Sequence, residues 1–333
     1  MMEIHPLGPD NLPVTRMGLG LAALGRPGYI NLGHAQDLAQ DYDVVVMESR
    51  AHHMLDAAYA AGVRYLDAAR SYGRAEDFLG SWLRAHPEAA KEVTVGSKWG
   101  YAYTAEWRVH AEKHEVKEHS RARLLTQWPE SRERLGEALS LYQIHSATPE
   151  SGVLENTEVL DALADLRAKE GITLGLSVSG PRQADTVRQA PEIRRDGQLL
   201  FGCVQASFNL LLSSVGEALA EAHAAGLGII VKEGLANGRL TARNDSPKFA
   251  PAMAELQACA QAENTTVDAL ALAWVLHHPF VDTVLSGAAQ LAHLHSNLAA
   301  AEMALSPTIR ERLASLAESP EVYWQNRSQL SWN

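Results

Sequence analysis

Four polar side chains fall where short apolar runs end. Asp67 and Tyr72 lie in Asp67-Ala68-Ala69-Arg70-Ser71-Tyr72-Gly73, Lys98 in Gly96-Ser97-Lys98-Trp99, and His145 closes Leu141-Tyr142-Gln143-Ile144-His145. Together they suit the reduction of a carbonyl by hydride, which leaves an alkoxide in need of a proton. A tyrosine, with an ordinary pKa of about 10, is a poor donor near neutrality. An ammonium about 4 Å away, at an effective dielectric near 20, contributes roughly 4 kcal/mol and lowers that pKa by about 3. Lys98 is therefore expected to make Tyr72 the acid, and the base in the reverse direction. Asp67 would keep Lys98 charged and aimed, and His145 would hydrogen-bond the substrate oxygen. Taken singly, a strand-end Asp or Lys is more often a structural ion pair, and a lone Tyr or His is more often packed. The combination carries the reading.

Such residues converge only if the elements before them place their ends together. Runs rich in Val, Ile and Leu recur after segments of helical period. Met47, Ala51, Met54, Ala58 and Ala61 share one helix face ahead of Gly62. Leu124, Trp128, Leu135 and Leu139 mark another, Val159, Leu163 and Leu166 a third ahead of Gly171, and Val215, Leu219 and Ala222 a fourth ahead of Gly226. Strands are predicted at Arg16–Ala22, Val63–Ala68, Val93–Trp99, Leu141–His145, Ile172–Val178, Gly202–Ser207, Gly228–Lys232 and Thr283–Ser286. Eight strands separated mostly by single helices, with no linker rich in Pro or Ser, predict one parallel (β/α)8 barrel, an α/β TIM-barrel domain spanning residues 1–333. Two connections are long: 28–46 after the first strand, and 100–120 after the third. Barrel active sites lie on such loops, so 100–120 is expected to enclose the substrate, with Tyr101 and Trp107, together with the strand-end Trp99, as candidate pocket walls.

The chain has 333 residues, 46% of them hydrophobic, and a formal net charge of −11. That charge argues against a nucleic-acid surface or an anionic membrane as partner, both of which call for clustered Lys and Arg. Only Cys203 and Cys259 are present, so neither a disulfide framework nor a thiolate zinc site is expected. Without a recognisable signal segment or a membrane-length apolar run, the expected location is the cytoplasm.

In order and spacing, Asp67-Ala68-Ala69 through Tyr72-Gly73, then Glu76 and Leu79-Gly80, Lys98, and Leu141 to His145 resemble the aldo-keto reductase superfamily. The resemblance runs from Gly18-Leu19-Gly20 to Gly287 and Asn297-Leu298. It implies that Asp67, Tyr72, Lys98 and His145 form the catalytic tetrad of an NADP(H)- or NAD(H)-dependent oxidoreductase acting on a small carbonyl or alcohol. It also implies that Ser177 and Gln205 hold the nicotinamide carboxamide, and that Leu235 to Leu240, including Gly238, folds over the pyrophosphate. Gly20 and Leu21 would approach the cofactor from the first strand end, and Gly287, Gln290 and Asn297 would take its adenosine end. Three departures stand out. Val178 replaces a frequent Asn, and Lys232 stands where many members stack a tyrosine on the nicotinamide. Ala289 and Gln290 stand where an Arg or Lys commonly meets the 2′-phosphate of NADP, which leaves NAD(H) use open.

Other signals point elsewhere and are weaker. Gly18 to Ala23 satisfies G-x-G-x-x-A, a Rossmann signature, yet Leu24-Gly25-Arg26-Pro27-Gly28 follows where a helix should begin. His114 and His119 resemble a zinc pair, but a five-residue spacing turns the second away from the first on a helix, and no metal is expected. A cofactor-binding regulatory subunit with little turnover is the alternative to an enzyme; intact Tyr72 and Lys98 favour the enzyme.

Overall fold

The computed structural model describes residues 2–333. Its eight central strands are β1 (Met17–Gly20), β2 (Tyr65–Asp67), β3 (Thr94–Trp99), β4 (Leu139–Ala147), β5 (Thr173–Val178), β6 (Cys203–Ser207), β7 (Gly228–Lys232) and β8 (Thr283–Ser286). Each pairs in parallel with its neighbours in chain order, and β8 pairs with β1 to close the barrel. The predicted (β/α)8 architecture is thus the observed one. Residues in β3 and β5 are buried throughout, as expected for strands covered by helices outside and packed side chains inside.

Capping accounts for several of the helix starts. Asp43 accepts the amides of Val45 and Val46 and begins the helix Val44–Ala60, in which Met47, Ala51, Met54 and Ala58 of the predicted face are buried, while Ala61 caps the end and is exposed. Asn156 caps Thr157–Glu170, and Gly171 ends it at φ 67°. The helix Arg121–Leu135 departs from the prediction at its end. Gly136, at φ 61°, stops it, so Leu139 opens β4 instead of extending the helical stripe.

An antiparallel hairpin, Ile4–Leu7 with Leu12–Thr15, precedes the barrel. Its Leu7 and Val14 pack with Tyr65, Leu141, Cys203, Ile230 and Leu285 in the barrel interior, while a second, larger core fills the space between strands and helices. The opposite, carboxyl end of the barrel is left for the long loops. Loop 28–46 carries the short helix His34–Asp37, and loop 100–120 folds as a ribbon of Tyr101–Tyr103 against Glu115–Lys117. A last helix, Pro320–Ser328, crosses the same end, and Asn333 beyond it exchanges backbone hydrogen bonds with Tyr29 at 3.1 and 3.2 Å. Among the described residues no helix is long and apolar enough to cross a membrane.

Candidate active site

The β2 and β3 ends set the floor of the site. Asp67 pairs in register with Gly96, and Lys98, two residues further along β3, points to the same side. Gly96 is needed there: a Cβ would lie 2.5 Å from the Tyr65 hydroxyl oxygen. That hydroxyl donates to Asp67 Oδ2 at 2.9 Å, as do the Gln205 amide at 2.9 Å and the Gln143 amide at 3.3 Å. The Lys98 ammonium donates to Asp67 Oδ1 and to the Ala68 carbonyl at 2.9 Å. Lys98 is 0% and Asp67 2% exposed, so this is a buried ion pair.

Tyr72 reaches the same floor from the turn after β2. The turn packs on Gly25, where a Cβ would meet the Tyr72 carbonyl oxygen at 2.4 Å, and the Arg74 amide donates to the Gly25 carbonyl at 2.7 Å. Lys98 Nζ stands 4.9 Å from the centroid of the Tyr72 ring, and His145 meets that ring edge-on at 5.4 Å. The structure therefore brings together all four residues singled out by type and spacing.

Their electrostatics differ from the simple expectation. Lys98 faces the ring of Tyr72 and directs its hydrogen bonds to Asp67 and Ala68. Burial, followed by the charge of Asp67, raises Tyr72 well above the ordinary phenol range, and the leading cation opposing that rise is Arg26. Burial, then Lys98 and Lys232, hold His145 well below the usual imidazole value, so the ring is neutral, with Nδ1 3.3 Å from the Ser71 hydroxyl. A neutral imidazole can donate one N–H to an oxygen in the cavity.

That cavity encloses about 790 Å³ and runs from Tyr72, Tyr101 and His145 to Gly287 and Asn297. Of the residues expected at a cofactor, Gly20, Gln205, Lys232, Leu235, Gly238, Gly287 and Asn297 line it. Leu21, Ser177 and Leu240 do not, being fully buried behind the wall; the Ser177 hydroxyl accepts the Ser146 amide at 2.8 Å. Gln290 is directed to the Asp37 carbonyl at 3.3 Å. Of the aromatic candidates only Tyr101 lines the cavity, with burial pushing its pKa up to about 12. Trp99 is fully buried and packs edge-on against His119, and Trp107 donates to the Tyr42 carbonyl at 2.7 Å and packs edge-on against Phe78. Both serve to anchor loops, which corrects their assignment as pocket walls.

Several further lining residues were not among the candidates, although some lie in the two long loops the sequence marked. Arg26, Tyr29 and Asp37 belong to loop 28–46 or the turn before it, His114 and Glu115 to the ribbon, and Trp324, Arg327 and Trp332 to the last segment. His114 stacks on Trp332 at 3.7 Å, an explanation for this histidine that involves no metal. Among the described residues no group of three or more His, Cys, Asp or Glu is placed to hold a metal ion. Lys232 Nζ donates to the Ser207 hydroxyl at 2.7 Å, and burial lowers its pKa to about 8. The Trp324 ring lies 6.0 Å from that nitrogen, so an aromatic group is present beside the lysine, supplied by the last helix.

The barrel is closed and parallel, with Tyr72, Lys98, Asp67 and His145 gathered at its carboxyl end. The sequence profile described as the Aldo/keto reductase family matches residues 16–318, and the chain belongs to that family of carbonyl and alcohol oxidoreductases. It is similar to Aldo-keto reductase str7 of Strobilurus tenacellus, 27% identical, with 91% of this chain and 88% of that one covered. It is also similar to Protein tas of Escherichia coli strain K12, 23% identical over 97% of this chain and 99% of that one. Among solved structures it resembles aldo-keto reductase AKR11C1 from Bacillus halodurans in its holo form. The TM-score is 0.73 at 20% identity, with 96% and 97% of the two chains covered, a likeness of fold.

Proposed function

We propose that this chain is a nicotinamide-dependent reductase that interconverts a small aldehyde, ketone or sugar and its alcohol, with Tyr72 as the proton donor and acceptor. The observation that carries this is the meeting of Tyr72 with the neutral His145 and the buried Asp67–Lys98 pair at the floor of one cavity. His145 would orient the substrate oxygen, and Tyr72 would protonate it as the carbonyl becomes an alcohol. Lys98 and Asp67, each holding the other, would fix the cation beneath the Tyr72 ring.

The cavity has the features a dinucleotide needs. It extends well beyond the four residues, Gly287 faces open space, and the Oδ1 atoms of Asn237 and Asn297 are buried without a partner. Lys232, Leu235, Gly238, Gly287 and Asn297 would hold the cofactor, which when bound supplies the hydride. The adenosine end favours NAD(H) over NADP(H): the cation there, Arg243, is already paired with Asp37, and Ala289 and Gln290 bring none.

The test is a fluorescence titration with NADH and with NADPH, followed by a panel of aromatic aldehydes, cyclic ketones and aldopentoses, reading loss of reduced-cofactor absorbance. Turnover that disappears in Tyr72→Phe, with cofactor affinity kept, supports the reading. Turnover kept by Tyr72→Phe overturns the assigned acid. Binding without turnover by the wild type returns the regulatory-subunit alternative.

A further inference from the structure

Arg26 lies in the turn after β1, two residues before the long loop, and is 3% exposed although it lines the cavity. Its guanidinium carbon stands 4.8 Å from the Tyr29 ring centroid, 5.0 Å from that of Trp332 and 5.1 Å from that of Tyr72. Nη1 donates to the Glu115 carboxylate on the ribbon and, at 3.3 Å, to the carbonyl of Ser71, the residue before Tyr72. Nε is buried with no partner at all. An arginine that only tied loops together would be expected to use its donors on them, because a buried unsatisfied N–H costs about 1–3 kcal/mol. This one keeps a donor free and lays its charge against the ring of the proposed acid.

Charged and titratable groups face Tyr72 from several elements. Asp67 at the end of β2 is paired with Lys98 on β3, yet its charge still raises Tyr72. His145 on β4 is neutral. Glu233, after β7, is paired with Arg327, and Tyr29 of the long loop is a neutral phenol. Arg26, paired with Glu115, is the leading cation acting against the rise of the Tyr72 pKa, and its guanidinium lies against the Tyr72 ring.

We propose that Arg26 is a positioning residue for proton transfer, a second cation that stabilises the Tyr72 phenolate, with Glu115 setting how much of its charge Tyr72 experiences. The inference rests on Tyr72 being the acid. In reduction, hydride from the reduced nicotinamide bonds to the carbonyl carbon and the C=O electron pair moves to oxygen. The Tyr72 O–H bond then breaks toward that oxygen, leaving alcohol, oxidised nicotinamide and phenolate. Arg26 acts on the last of these, and in alcohol oxidation it acts before hydride leaves, by raising the fraction of Tyr72 present as base.

The two members of the pair are therefore expected to push in opposite directions. The readout is kcat/KM for oxidation of the alcohol corresponding to the best carbonyl of the panel above, between pH 7 and 10. Arg26→Met lowers the rate at pH 8 by at least about tenfold, and raising the pH recovers it, since each pH unit gains a factor of ten in phenolate. Arg26→Lys restores most of the loss. Glu115→Gln, which frees the guanidinium, raises the rate at low pH. A pH-independent loss in Arg26→Met, or a loss in both Arg26→Met and Glu115→Gln, overturns the proposal in favour of packing alone. Should Arg26→Met not fold, Glu115→Gln still decides: a pH profile unchanged from the wild type overturns the proposal. Turnover retained by Tyr72→Phe, or no turnover by the wild type, is instead the failure of the underlying function, and the inference falls with it.

Discussion

The Glu233 carboxylate accepts the Arg327 Nε–H at 2.9 Å, joining the residue after β7 to the helix Pro320–Ser328 across 94 positions of sequence. Its other oxygen accepts the Ser207 hydroxyl at 2.6 Å. Arg327 and Lys232 together outweigh burial and hold the Glu233 carboxyl at about 2. A carboxylate depressed in the folded state contributes stability above its unfolded value, near 4.5, which is lost as pH falls toward 2. The full contribution is about 3 kcal/mol on that basis. Urea unfolding midpoints of wild type and Glu233→Gln should differ most near pH 6 and converge as pH falls below 4. A constant gap would assign the difference to packing.

The Asp67–Lys98 pair makes a prediction of another kind. Lys98→Met leaves a carboxylate with three neutral donors and no cation, and breaking a buried pair by removing one partner costs about 3–5 kcal/mol. The variant should therefore lose both stability and rate. Asp67→Asn/Lys98→Met, which removes both charges, should recover most of the stability and none of the rate. Thermal melts beside turnover assays separate the two effects, and a double variant no more stable than Lys98→Met would contradict the pairing argument.

Lys232 loses its proton at about 8. Oxidised nicotinamide carries a positive ring and reduced nicotinamide a neutral one, so a lysine beside it discriminates against the oxidised form only while charged. The ratio of dissociation constants, oxidised over reduced, should fall as pH rises from 7 to 9 and stay flat in Lys232→Met. Isothermal titration with both cofactor forms at several pH values measures it.

Much of this was legible in the sequence for a physical reason. Strands covered on both faces are mostly apolar, so residues 228–231 read as an unbroken run and Thr173–Val178 as a run interrupted by Ser177, and a polar residue ending a run, such as Lys232, marks the barrel mouth. Tyr72 and Lys98 were legible because local spacing fixes them. Arg26 was not, since its meaning lies in contacts with Glu115, 89 positions away, and Trp332. Trp99 and Trp107 misled because an aromatic residue near an active end packs into the loop wall as readily as it faces the cavity. Leu139 misled because an apolar residue four after Leu135 keeps helical phase whether or not Gly136 lets the helix continue.

The last segment, invisible to any periodicity, is where substrate access should be most sensitive. Asn333 is held by the Ala35 amide on its Oδ1 at 3.1 Å and donates to the Asn31 carbonyl at 2.9 Å, which pins Trp332 over Arg26 and against His114. The tryptophan contributes a wall of the cavity without touching the Asp67–Lys98 pair. Trp332→Ala should consequently raise KM for small carbonyls several-fold while leaving kcat within about twofold, because it removes binding area that substrate and transition state share. Asn333→Ala, which keeps the ring but loosens its anchor, should give a smaller change in the same direction. Steady-state kinetics on both variants test this, and a fall in kcat with KM unchanged would mean that the segment acts on the chemistry and not on access.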